Sequence, residues 1–173
     1  GLLARESPFR RFEVLLLDST RDGVEQITEI LAGRTDLDAL HVISHAADGQ
    51  VQLGTVSLNL NTLSDYRQQI QGWSKALSKE ADLLFYGCDL ADGPDGVSLL
   101  RALSELTGAD TAASTDKTGH ASLGGDWDLE YRIGRIETDP TVQTQWQGLL
   151  ADEAVWMATE QDVTGSGTPG ITC

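Results

Sequence analysis

Two short apolar runs constrain this chain more than any other feature. One is Leu40-His41-Val42-Ile43-Ser44-His45, and the other is Ala81-Asp82-Leu83-Leu84-Phe85-Tyr86-Gly87-Cys88. Each is partly β-branched or aromatic, bounded by turn residues and too short for a buried helix, so both read as buried strands. Helical spacing appears between and around them. Val24, Ile27, Ile30 and Leu31 form one stripe ending at Gly33, with Thr20 or Asp22 as cap. Leu63, Tyr66, Ile70, Trp73 and Leu77 form a second stripe, with Asn61 as cap, and Val97, Leu100, Leu103 and Leu106 form a third, closed by Gly108. A strand is expected at 12–17 and another at 110–114, with a small hairpin around Gly54 and alternating edge strands between His120 and Ile136. Strand alternating with helix through residue 114 predicts an α/β fold. The expected architecture is a three-layer α-β-α sandwich with a mostly parallel central sheet and small β-hairpins.

Three regions are expected: a lead-in at 1–11, one α/β domain at 12–150, and a flexible linker toward a downstream region at 151–173. The last is polar and runs Gly-Ser-Gly-Thr-Pro-Gly near its end. A length of 173 residues with 40% hydrophobic content is enough for a single core. The formal net charge of -15 argues against nucleic acid or an anionic membrane surface as a partner. No stretch approaches the roughly 18 apolar residues of a membrane span. Two cysteines do not make a disulfide framework.

Parallel strands bring their C-terminal ends to one sheet edge, where open α/β folds place ligands. Cys88 and His45 both end such strands. A thiol and an imidazole delivered to one edge form a nucleophile and a base, against the plainer reading of a buried cysteine and a structural histidine. His41, four residues before His45, sits at zinc-ligand spacing for a helix. On a strand those two positions are about 13 Å apart, which disfavours a shared metal. Asp89, Asp92 and Asp95 are candidates for a calcium site or a substrate-facing acidic rim, or else the solvated turn and first helical turn where aspartates complement the helix dipole; the spacing is not that of an EF-hand. Asp126, Asp128 and Glu130 are expected on one face of a strand, which is consistent with calcium but equally with solvent exposure.

The order strand–helix–strand-His–hairpin–helix–strand-Cys–helix–strand resembles the caspase-like cysteine peptidases, the group of caspases, gingipains, clostripain and self-cleaving toxin domains. The segments carrying the likeness are Ser44-His45-Ala46 and Tyr86-Gly87-Cys88-Asp89. The chain is also similar to an uncharacterised bacterial domain near the N-terminus of giant repeat-containing adhesins. That likeness runs through Asp22-Gly23-Val24-Glu25-Gln26-Ile27, Tyr86-Gly87-Cys88-Asp89-Leu90-Ala91 and Gly124-Gly125-Asp126-Trp127-Asp128-Leu129-Glu130. Two departures stand out: Ala46 replaces the group's usual glycine, and the family's strand before 12–17 is not evident in residues 1–11.

The resemblance implies a catalytic dyad of Cys88 and His45, with backbone N–H groups of Cys88 and Ala46 meeting the oxyanion. Tyr86, Ser114, Thr115 and Asp116 would flank the first substrate side chain; an acidic Asp116 would suit a basic one, and cleavage after leucine, as in self-cleaving toxins, is also open. The expected activity is a cysteine endopeptidase that processes its own chain, the polypeptide partner being part of a large exported adhesin at a bacterial cell surface or outside it. The alternatives are a catalytically silent scaffold acting in export, anchoring or assembly of the adhesin, and cleavage of another protein. No cofactor is required on this reading, and calcium enters as a candidate activator or structural ion.

Overall fold

The computed structural model describes residues 10–119, 124–138 and 155–162. His120, the first nine residues and much of the expected linker lie outside the described residues. The elements run β1 (Arg10–Leu17), α1 (Gly23–Leu31), β2 (Leu37–Ile43), β3 (Ala46–Ala47), β4 (Gln50–Leu53), β5 (Val56–Asn59), α2 (Leu63–Gly72), a 3₁₀ turn at Trp73–Lys75, β6 (Leu77–Tyr86), α3 (Pro94–Thr107), β7 (Asp110–Ala113), β8 (Tyr131–Ile133) and β9 (Val155–Asp162). The chain is a mixed α/β protein whose six-stranded sheet, in the order β1-β9-β2-β6-β7-β8, is mostly parallel through β2-β6-β7-β8. Strands β2, β6 and β7 are parallel, and β8 closes one side antiparallel to β7. The expected hairpin is a separate three-stranded sheet, β3-β4-β5.

Strand β6 is buried continuously from Ala81 to Tyr86, because helices and loops leave neither of its faces to water. Its alternate residues serve two cores. Leu83 and Phe85 join Leu40, Val42 and the apolar stripes of all three helices, including Val24, Ile27, Ile70, Leu99 and Leu103. Leu84 and Tyr86 face the other way, packing with Ile43, Ala112, Leu129, Trp127 and Ile136. Among the described residues the three helices therefore line one face, and the segment 127–136 covers the other. The three-layer expectation is met on the first face only.

Boundary expectations shift for local reasons. Asp22 caps α1 through Val24 and Glu25. Helix α2 starts one residue later than expected, with Thr62 at the cap position and no side-chain cap bond. The backbone N–H groups of Asn61 and Thr62 donate instead to Asn59 Oδ1. Leu77 does not extend the helical stripe: it opens β6 opposite Leu37. Among the described residues, the alternation expected from His120 to Ile136 gives only the three-residue β8, and Asp126, Asp128 and Glu130 do not lie on a strand.

The larger difference is β9. Residues 155–162, within the expected flexible linker, form a strand between β1 and β2, antiparallel to both. Met157 and Thr159 are buried there. Half of this stretch is polar, which is why it reads as linker. Its burial follows from hydrogen bonding to strands more than a hundred residues away in sequence.

Candidate functional site

Cys88 and His45 lie just beyond neighbouring strands. Ile43 of β2 pairs with Tyr86 of β6, and each functional residue is two positions past its member of that pair. Ser44 N–H extends the ladder by donating to Tyr86 O at 3.1 Å. Gly87 permits the close approach: a Cβ there would come within 2.6 Å of Ala46 Cβ and 2.9 Å of Ser44 O. The sheet register and this glycine thus bring the Ser44–Ala46 and Gly87–Cys88 backbones together.

The side chains are not joined. The half-buried Cys88 thiol donates to Thr118 O at 3.7 Å, and His45 is exposed. No hydrogen bond links His45 to the thiol. Ala46 begins β3, opposite Val51, and does not adopt a positive φ, so the missing glycine does not strain this turn. Asp89 does adopt one, at 56°, immediately after the cysteine. Aspartate tolerates this region better than most residues, and strained backbone of this kind gathers at functional sites. The loop is anchored by Asp89 N–H to Asp116 O at 2.8 Å and by Ala91 N–H to Ser114 O at 2.9 Å.

The expected pocket residues divide. Tyr86 is only 2% exposed, with its ring stacked on His41 and tilted against Trp127, so it packs the second core and does not line an open pocket. Strand parity dictates this, since Tyr86 shares a face with Leu84. His41 is buried in that layer, with Nδ1 3.4 Å from the Tyr86 hydroxyl. Ser114 is also buried, and its hydroxyl donates to Asp116 O at 3.0 Å. Thr115 N–H and Oγ1 are 2.8 and 3.2 Å from Glu130 Oε2. Asp116 remains exposed and gathers with Asp126 and Glu130, one carboxylate oxygen from each lying within 4.8 Å of the others. Desolvation, then the Glu130 and Asp126 charges, holds the Asp116 carboxyl above its ordinary value. Asp89, Asp92 and Asp95 form no such converging set.

Thr118 and Glu130 were not legible as parts of this site. The first acts through its backbone carbonyl, and the second reaches Thr115 from an irregular segment where the alternation predicted a strand.

Residues 3–150 match the family described as Domain of unknown function (DUF4347). The chain belongs to this family. The DUF4347 domain thus includes both strand ends and the acidic cluster, whereas β9 lies beyond the matched residues. A comparison with curated proteins gave no match. No helix among the described residues is long and apolar enough to cross a membrane.

Proposed function

We propose that this DUF4347 domain is a caspase-like cysteine endopeptidase that processes its own chain within a larger bacterial surface or secreted adhesin. The observation that carries the reading is the equal two-residue offset of Cys88 and His45 past the paired Ile43 and Tyr86. In this reading His45 turns toward Cys88 when substrate arrives, consistent with catalytic hydrogen bonds that tighten only in the complex. The thiolate sulfur attacks the scissile carbonyl carbon, and the Cys88 and Ala46 N–H groups meet the oxyanion. The C–N bond breaks as His45 protonates the departing amine, and water then hydrolyses the thioester. The cluster of Asp116, Asp126 and Glu130, near Thr118 and the Cys88 loop, supports a basic first substrate side chain.

The topology also favours one part of the chain as the cis substrate. Trp156 of β9 pairs with Ile43, so the chain enters β9 at the edge that carries His45 and Cys88, and it leaves by the opposite edge at Asp162. The segment leading into Val155 is therefore the better candidate for self-cleavage than the residues after 162.

Intact mass of a longer form of the protein, followed over time as wild type and Cys88→Ala, tests this. A single cut in the wild type alone, independent of protein concentration, is the expected result. A cut on the carboxyl side of a basic residue would support the acidic pocket and, since residues 139–154 hold no Lys or Arg, would exclude the segment leading into Val155 as the substrate. A cut after leucine would retain the activity and remove the acidic-pocket assignment. A cut whose rate rises with protein concentration would mean action on another chain.

A second reading, a catalytically silent scaffold acting in export or assembly, is favoured by the thiol's bond to Thr118 O and the exposed His45. On that reading both proteins stay whole, and Cys88 alkylates slowly with iodoacetamide near neutral pH.

A further inference from the structure

A second group of carboxylates lies at the other end of the sheet. Asp82, in β6, and Asp110, the first residue of β7, are direct partners in the parallel ladder. Six residues separate Asp82 from Cys88, about 20 Å along an extended strand. One carboxylate oxygen each from Asp82, Asp110 and Glu137 lies within 4.8 Å of the other two.

The loop after β8 is built around this group. Asp82 Oδ2 accepts from Glu137 N–H at 3.0 Å, Thr138 N–H at 2.7 Å and Thr138 Oγ1 at 2.6 Å. Asp110 Oδ2 accepts from Arg135 N–H at 3.0 Å. Gly134, at φ 81°, passes so close that a Cβ there would lie 1.9 Å from Asp110 Oδ1.

These bonds leave one atom unexplained. Asp82 is 0% exposed, and its Oδ1 has no hydrogen-bond partner among the described residues. A buried carboxylate oxygen without a donor is costly, and two further carboxylates beside it add repulsion. Among the described residues Arg135 pairs with this group, 3.4 Å from Glu137 Oε1, but its side chain is 88% exposed and offsets little charge.

We propose that Asp82, Asp110 and Glu137 hold a hard divalent cation of the calcium class that ties β6, β7 and the loop after β8 together. Calcium binds six to eight oxygens at about 2.3–2.6 Å, so two ligand oxygens on one ion stand up to roughly 5 Å apart, as these do. The donor set is entirely oxygen, which selects calcium, magnesium or manganese over the softer metals. Glu137, with a 37% exposed side chain, leaves that side of the cluster accessible to solvent, which suits the larger and less regular shell of calcium. This site is independent of the chemistry proposed for Cys88.

The rival occupant is a proton. Burial raises the Asp82 carboxyl above its ordinary value against the bonds from Thr138 and Glu137, and the Asp110 charge adds to the rise.

The test is titration of the purified chain with calcium chloride near neutral pH, by calorimetry and by thermal unfolding, with magnesium chloride alongside. The proteins are wild type, Glu137→Gln, Asp82→Asn and, as a control at the other cluster, Asp116→Asn. Wild type is expected to show one saturable calcium site and a higher Tm in calcium than in chelator. Glu137→Gln, at a 37% exposed side chain whose backbone bond to Asp82 is retained, is expected to fold and to bind roughly tenfold or more weakly. Asp116→Asn is expected to leave the affinity unchanged. Absence of saturable binding in wild type would overturn the site, as would binding lost in Asp116→Asn but kept in Glu137→Gln. So would a wild-type Tm indifferent to calcium together with a stable Asp82→Asn, since the amide mimics the protonated acid.

Discussion

Gly87 is the residue on which the geometry of the Cys88 edge turns. A methyl group there meets Ala46 Cβ at 2.6 Å and Ser44 O at 2.9 Å, both closer than real contacts allow. Gly87→Ala should therefore push the His45 turn away from Cys88 and cost about 1–3 kcal/mol, as overpacking does. Urea unfolding checks this, and a midpoint equal to wild type would show that the turn gives way freely. Adding Ala46→Gly should recover part of the loss and not all, because the Ser44 carbonyl stays in place. At this scale Cys88 and His45 were readable because each ends an apolar run, a local pattern. The Cys88 thiol's partner was not: Thr118 lies 30 residues away and contributes a carbonyl that every residue type possesses.

Helices α1 and α2 are joined through one carboxylate. Asp22 Oδ1 accepts from the N–H groups of Val24 and Glu25, while Oδ2 accepts from the Tyr66 hydroxyl at 2.6 Å. Asp22→Ala removes cap and link together and should cost about 1–2 kcal/mol, measured by thermal unfolding. Tyr66→Phe should cost less, because the cap survives. The link also carries a pH dependence. The bond to Asp22, then burial, pushes the Tyr66 phenol up to about 12 from an ordinary value of 10.0. A raised value in the folded state means that the stabilisation is complete below pH 10 and is lost as pH rises toward 12. The wild-type minus Tyr66→Phe difference in phenolate absorbance should accordingly titrate near 12, and a midpoint near 10 would mean that the bond is absent in solution. Asp22 was legible as a cap because capping is a rule of sequence neighbours. Its second oxygen was not, since Tyr66 lies 44 positions on. Leu77 misled for a related reason: an apolar residue four after Trp73 fits a helical stripe, but the 3₁₀ turn at Trp73–Lys75 ends the helix first.

For the whole molecule the deciding element is β9, which separates β1 from β2. A chain ending at residue 154 would leave both those strands without their shared partner. Exposed edges of that kind recruit other chains. Such a protein should unfold at a lower temperature and associate with rising concentration, as sedimentation would detect. A monomer with unchanged Tm would mean that β9 adds little to the fold. Sequence alone determined the α/β class, the buried character of β2 and β6 and the delivery of Cys88 and His45 to strand ends, because each rests on periodicity and composition within a dozen residues. Tertiary structure decided the rest: the placement of β9, the inward turn of Tyr86, the meeting of Asp116 with Asp126 and Glu130, and the meeting of Asp82 with Asp110 and Glu137. Each of these depends on which distant strand or loop is the neighbour, and hydrogen bonds between backbones leave almost no mark on the side chains of the residues that make them.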